Sequence, residues 1–163
     1  SYKMFETIEE LPIRQQAECV LVAAEMCLHV WEEWERKQGM ANLAADLLRA
    51  FTMWLDGHVT SQELKACADK LFQMLPQDLR AEEDPSPGFA GWTIHGVETV
   101  ALNQFPDVRH SILMTAVLYA AAAVCGIGPE ATRISLERLT EQERDFVAKW
   151  WARCCERIPE LGQ

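Results

Sequence analysis

Residues 111–127 read SILMTAVLYAAAAVCGI, with Ser111, Thr115 and Tyr119 as the only hydroxyls. A helix through this stretch is apolar on every side, and such a helix must be surrounded by other helices or by lipid. At 17 residues it sits at the lower edge of membrane-spanning length. The rest of the chain carries amphipathic helix patterns that need a shared packing partner. A bilayer span would remove that partner, so no membrane insertion is expected. The stretch is expected to be the central helix of an all-α domain, with Gly126 and Gly128 stopping it.

A chain of 163 residues is most simply one domain, 1–163, and is long enough to bury about 70% of its unfolded surface. Half the residues are hydrophobic and a quarter are charged, which opposes disorder. The formal net charge of −10 excludes nucleic acid as an expected partner, because phosphate binding needs excess Lys and Arg. It suits a basic partner instead. The six cysteines, at 19, 27, 67, 125, 154 and 155, form no C-x-x-C and fall mostly on apolar helix faces. Free buried thiols imply a reducing setting, hence a cytoplasmic location. No basic segment followed by an apolar one opens the chain, so no signal peptide is expected.

In chain order, residues 1–11 make a short segment in which Thr7 and Glu10 have capping-box spacing. Pro12 suits the first turn of the next helix. From there apolar residues recur at Ile13, Ala17, Val20, Ala24, Cys27, Trp31 and Trp34, alternating four and three apart as on a bundle seam. Gly39 closes that helix. A second helix is predicted over 40–55, ended by Asp56-Gly57, and a third from the Thr60–Glu63 capping box to about Leu75, before Pro76. Residues 76–91, with three prolines, two glycines and the run Glu82-Glu83-Asp84, are expected to be irregular. A fourth helix is placed at about 92–104. Pro106 breaks it, and Asp107 is placed to cap the central helix. A connection that leaves room for a short helix leads from Gly126-Ile127-Gly128-Pro129 to Leu139. Thr140 and Glu143 then form another capping box, and the last helix runs to about Arg157 before Pro159. Six or seven helices account for the chain.

Chemistry-bearing residues are sparse. Glu25, His29 and Glu33 fall at i, i+4 and i+8 of the first long helix; His95 and Glu98, and Asp107 and His110, are each three apart. Bundle metal sites use inward carboxylates and Glu-x-x-His on paired helices. That order is absent, so no metal or cofactor is expected. The enzyme alternative is a metal-dependent helical bundle built on Glu25, His29, His95, Glu98 and His110. No nucleophile elbow, phosphate loop or H-E-x-x-H occurs.

The acidity is uneven. Residues 1–40 hold eight acids against four bases and 76–110 hold six against two, whereas the remainder is nearly balanced. Glu32, Glu33 and Glu35, together with Glu82, Glu83 and Asp84, are therefore the expected partner surface. Trp92 joins them because it follows the acidic loop, and exposed Trp is a common interface anchor. Trp31 and Trp34 belong to the seam, and Trp150 and Trp151 point about 100° apart, so that one should leave the core.

The run AAEMCLHVWEEW at 23–34, followed by TMWLDGHVTSQELKACADKL at 52–71, is similar to the all-helical immunity proteins of bacterial polymorphic toxin systems. These carry an alanine-rich helix ending in bulky residues and acids, then a Trp-x-x-Gly step, here Trp54 and Gly57, and an alanine-rich third helix. The resemblance spans about the first half of the chain, and the Ala120–Ala123 run fits it too. It implies a non-enzymatic, cytoplasmic inhibitor of a toxin and carries over no binding residue. A structural homodimer hiding a Trp face is the further alternative.

Overall fold

A computed structural model describes residues 3–126 and 136–163. Among them the protein is all-α, with seven α-helices and no strand. The helices are α1 (Lys3–Glu9), α2 (Ile13–Lys37), α3 (Leu43–Leu55), α4 (Ser61–Phe72), α5 (Ser86–Ala101), α6 (Arg109–Cys125) and α7 (Glu141–Arg157). Short 3-10 turns lie at Leu79–Ala81, Pro106–Val108, Leu136–Arg138 and Pro159–Gly162. The turn expected after Gly126 and most of the connection to Leu139 fall outside the described residues.

The bundle is assembled on three mutually packed helices. The largest helix pairing joins α2 to α5, followed by α5 to α6 and α2 to α6. Ala17, Val20, Ala24, Cys27 and Trp31 of the α2 seam are buried as their spacing requires. On α6, Leu113, Ala116, Val117 and Ala120 to Ala123 are buried. Alanines at these positions let the α6 backbone come close; Thr93 on α5 donates a hydrogen bond of 2.6 Å to the Ala116 carbonyl. The deepest helix is α5, buried on nearly all its length from Gly88 to Ala101. By contrast α6 keeps an open side at Ser111, Thr115 and Val124.

Two expected capping boxes form in full, at Thr60–Glu63 and Thr140–Glu143, with both reciprocal hydrogen bonds. Gly126 takes a left-handed φ of +67° and closes α6, a conformation that disfavours a Cβ. Other boundaries differ. Thr7 lies inside α1 and donates back to the Lys3 carbonyl, so it caps nothing. Asp107 sits in the 3-10 turn before α6, which has no side-chain cap. The six residues 86–91, expected to be irregular, form the first turns of α5, with Pro87 near its start, where its missing N–H is harmless.

Trp31 and Trp150 are buried, whereas Trp34, Trp54, Trp92 and Trp151 are half-buried. Trp150 stacks on Phe5 at 5.6 Å and donates to the Cys19 carbonyl at 2.9 Å, fastening α1 and α7 to α2. All six cysteines are free; Cys19, Cys27 and Cys154 are buried. By length and composition Pro106–Cys125 would suffice to cross a bilayer. One side of it is instead covered by α2 and α5.

Candidate functional site

Two features border α5, one at its start and one along its open side. The first arises because the chain before α5 folds back on α2. Gly88 and Gly91 sit on the side of α5 facing that contact. A Cβ on Gly88 would lie 2.5 Å from Leu79 Cδ2 and 2.7 Å from Pro76 Cγ. One on Gly91 would lie 2.5 Å from Leu75 Cδ2 and 2.8 Å from the Trp31 ring. Both glycines serve close approach inside a helix. The approach sets Glu82 and Asp84 beside Trp31 and Trp34, which with Pro76 and Gly88 line a cleft of about 120 Å³. The two indoles are 4.8 Å apart and tilted by 38°. Trp31 is 1% exposed, and its Nε1 is buried without a hydrogen-bond acceptor among the described residues.

Glu82 and Glu83 are exposed and form no ion pair with a described residue; Asp84 is exposed and accepts from the Ser86 N–H at 3.1 Å. The acids of α2 divide. Glu33 is exposed and pairs with Lys37 at 3.4 Å, while Glu32 is half-buried. At 100° per residue Glu33 lies across the helix from Trp31, so it does not share the Glu82–Asp84 cleft. Glu35 is a correction. It is 3% exposed, and its Oε2 accepts from the N–H groups of Leu43 (2.9 Å) and Ala44 (3.3 Å). It holds the positive end of α3 and has no free face to offer a partner. Its place in an acidic run concealed this, because only the α2–α3 turn brings those N–H groups to it.

The second feature is an apolar groove of about 450 Å³ between α5 and α6, lined by Phe72, Trp92, His95, Phe105, Ile112 and Tyr119 among others. Phe72, Phe105 and Val108 on its rim are 41%, 57% and 50% exposed. Trp92 borders it, and also the adjoining pocket of Asp78, Arg80 and Thr115. Its indole N–H is already given to the Pro76 carbonyl at 3.0 Å. His95 lies against Phe72 and Trp92, with ring centroids 5.4 and 6.1 Å apart. Its Nδ1 meets Thr99 Oγ1 at 3.3 Å and its Nε2 is 3.8 Å from Glu98 Oε2. Glu98 is buried and accepts a short hydrogen bond from Gln104 Nε2. Burial pushes its carboxyl up to about 7, against the opposing pull of Lys65 and with a smaller push from Asp69. Burial likewise lowers His95, so both partners favour their neutral forms.

The other candidate ligands do not join this pair. His110 binds Glu9 at 2.8 Å, tying α6 to α1. Glu25 pairs with Arg157 at 3.3 Å on α7, and His29 is exposed. Of Glu25, His29, His95, Glu98 and His110, only His95 and Glu98 are brought together, by three-residue spacing on one helix. Among the described residues no three metal-ligating side chains cluster. The Glu98 desolvation and the groove were not visible in the sequence. The only signals were the three-residue spacing and an α5 too apolar to leave a carboxylate in water.

No family model, no curated protein and no solved structure matches this chain.

Proposed function

We propose that this chain is a non-enzymatic binding protein of the bacterial immunity type, which neutralises a basic toxin domain in the cytoplasm. The observation that carries the reading is the edge Glu82-Glu83-Asp84: three exposed acids, none in an ion pair with a described residue, set beside the half-buried Trp34. Acids already paired within the protein have little charge left to offer. Unpaired ones raise the encounter rate with a basic surface and lose that effect in salt. The resemblance of 23–71 to helical immunity proteins and the net charge of −10 support the same role.

The test has two stages. The chain is tagged in its own host, and a basic protein that co-purifies in fixed ratio is expressed alone and then together with it. Toxicity that appears alone and disappears on co-expression is the expected result. A Glu82→Lys/Glu83→Lys/Asp84→Lys chain should relieve it poorly, with binding weakened mostly in association rate. Absence of such a partner, or undiminished protection by the charge-reversed chain, overturns the reading.

The exposed Phe72, Phe105 and Val108 favour a second reading, in which the groove is covered by a second copy of the chain. Sedimentation velocity across a dilution series decides it: a concentration-dependent dimer supports that reading, and a monomer throughout removes it.

A further inference from the structure

Two thiols of this bundle touch across helices. Trp150 on α7 donates its indole N–H to the Cys19 carbonyl of α2 at 2.9 Å. Cys154 follows one turn later on the same face of α7, as positions i and i+4 do. Its thiol comes down on Cys19, and its S–H donates a hydrogen bond to the Cys19 sulfur. Both side chains are fully buried, and neither is in a disulfide. The other cysteines near this core are placed differently. Cys27 turns its thiol to the Ala24 and Ala90 carbonyls, at 3.6 and 4.0 Å. Cys155 is half-buried and projects about 100° round α7 from Cys154, although it lies near enough to Cys19 for their charges to interact.

We propose that Cys19 and Cys154 form a redox latch: hydrogen peroxide converts them to a disulfide that joins α2 to α7, and a thiol reductant releases it. The Cys19 sulfur, as thiolate, attacks one peroxide oxygen. The O–O bond breaks, leaving a sulfenic acid on Cys19, and the departing hydroxide takes up the thiol proton as water. The Cys154 sulfur then attacks the Cys19 sulfur, and the Cys154 proton leaves with the displaced hydroxyl as a second water. The two thiols lose two electrons and the peroxide gains them. Hydrogen peroxide is little larger than water and reaches the pair when the end of α7 frays. The hydrogen bond to Cys19 and burial both push the Cys154 thiol up, so it stays protonated and the latch closes only on sustained oxidant. At this end α7 is otherwise tied to α2 by Arg157, which reaches Glu18 at 3.4 Å and Glu25 at 3.3 Å. Such partly exposed pairs contribute little and fade in salt, whereas a disulfide does not. The loop it closes spans most of the chain, the case in which a cross-link restricts the unfolded state most. The latch needs no partner and does not depend on the toxin reading.

The whole folded chain is exposed to millimolar hydrogen peroxide, cleared with catalase and alkylated under denaturing conditions. Alkylation should miss two of the six cysteines, and peptide mass spectrometry should find them linked as Cys19–Cys154. The oxidised protein should melt roughly 5 °C or more above the reduced one, and dithiothreitol should remove the gain. Cys155→Ser should form the same link. Cys19→Ala should form no link between α2 and α7 and gain nothing from peroxide. A buried truncation lowers stability by itself, so each variant is compared with itself before and after oxidant. In urea the fold no longer holds the pair together. There the Cys19–Cys154 link should fall roughly tenfold or more relative to Cys19–Cys27, whose partners are close along the chain.

Six thiols still free after sustained peroxide overturn the inference, as does a link that uses Cys155 in place of Cys154. Over-oxidation of Cys19 or Cys154 without a link overturns it too. So does a linked protein whose melting is unchanged, a Cys19→Ala chain that still gains from oxidant, or the same pattern of links in urea as in the fold.

Discussion

Helix α5 has two sides that were built to different tolerances. Toward α2 and the returning chain it carries Gly88 and Gly91, where the neighbours come within 2.5 Å of an absent Cβ. Toward the groove it carries Trp92, His95 and Thr99, and the space between helices opens to about 450 Å³. The helix is apolar on both sides, so hydrophobicity alone does not explain the contrast. What differs is whether the protein's own residues fill the space. On the first side the partner is the protein's own Trp31, Leu75 and Pro76. On the second, Phe72, Phe105 and Val108 stop at the rim and leave the floor uncovered.

Replacing Gly91 with Ala tests the tight side, and its effect should be the largest. The new methyl would meet Leu75 Cδ2 and two Trp31 ring carbons. Trp31 has little room to yield, as it also packs on Trp34. Overpacking of this kind destabilises by about 1–3 kcal/mol, and a blocked aromatic ring places this variant at the upper end, near 3 kcal/mol. The midpoint of urea unfolding should fall with an unchanged slope. A loss under about 0.5 kcal/mol, small against the usual range for overpacking, would mean that the contact yields and that the two sides do not differ.

Glu98, buried on α5 beside His95, makes the second prediction. Its carboxyl titrates at about 7 in the fold, against 4.5 ordinarily. An acid whose folded value is raised keeps its proton when the unfolded chain has lost its own. Stability therefore falls as pH rises from about 4.5 to about 7 and is flat above. His95 acts oppositely: it is lowered in the fold, so its contribution is lost as pH falls through 6.5. Glu98→Gln removes the first effect and keeps an acceptor for Gln104. The variant should gain on the parent as pH rises from 5 to 8, by about 2 kcal/mol. Equal pH dependence in the two proteins would show the carboxylate to be paired more strongly than these contacts imply.

These two sites also show where a sequence speaks and where it does not. The Thr60–Glu63 and Thr140–Glu143 boxes were legible because capping is local: all the atoms involved lie within four residues. The α2 seam was legible for the same reason, its period being a property of one helix. The start of α5 was not. Pro and Gly in 85–91 oppose a helix in isolation, and only the bulk of Trp31, Leu75 and Leu79, supplied from elsewhere, makes glycine the fitting residue there. Glu35 was misplaced likewise, since a buried carboxylate in a charged run is explained by two N–H groups eight and nine residues away. The groove is a remainder of packing, and no residue pattern announces which face is left over.

Gly96→Ala sharpens the comparison from the other side. Gly96 lies at the α5–α6 seam, where a Cβ would sit 3.7 Å from Ala116 Cβ and 3.7 Å from Val20 Cγ1, an ordinary contact. The substitution should bring the helix-propensity gain without the clash, stabilising by about 0.5–1 kcal/mol. Opposite signs for Gly91→Ala and Gly96→Ala, five residues apart on one helix, would measure the difference in tolerance directly. The same sign in both would reduce the contrast to helix propensity.

The smallest effect belongs to the rim. Phe105 precedes the turn at Pro106–Val108 and is 57% exposed, so most of its ring gains nothing from the fold. Phe105→Ser should change stability by no more than about 0.5 kcal/mol, as surface substitutions usually do. Its use lies in what it leaves intact. A rim that is merely residual surface predicts a variant with unchanged unfolding and unchanged sedimentation. A rim that seats a second copy predicts unchanged unfolding of the dilute monomer with a dimer equilibrium shifted toward monomer. A loss above about 1 kcal/mol in the monomer, beyond what surface positions show, would instead mean that Phe105 packs on the bundle, and the groove would belong with the tight side of α5.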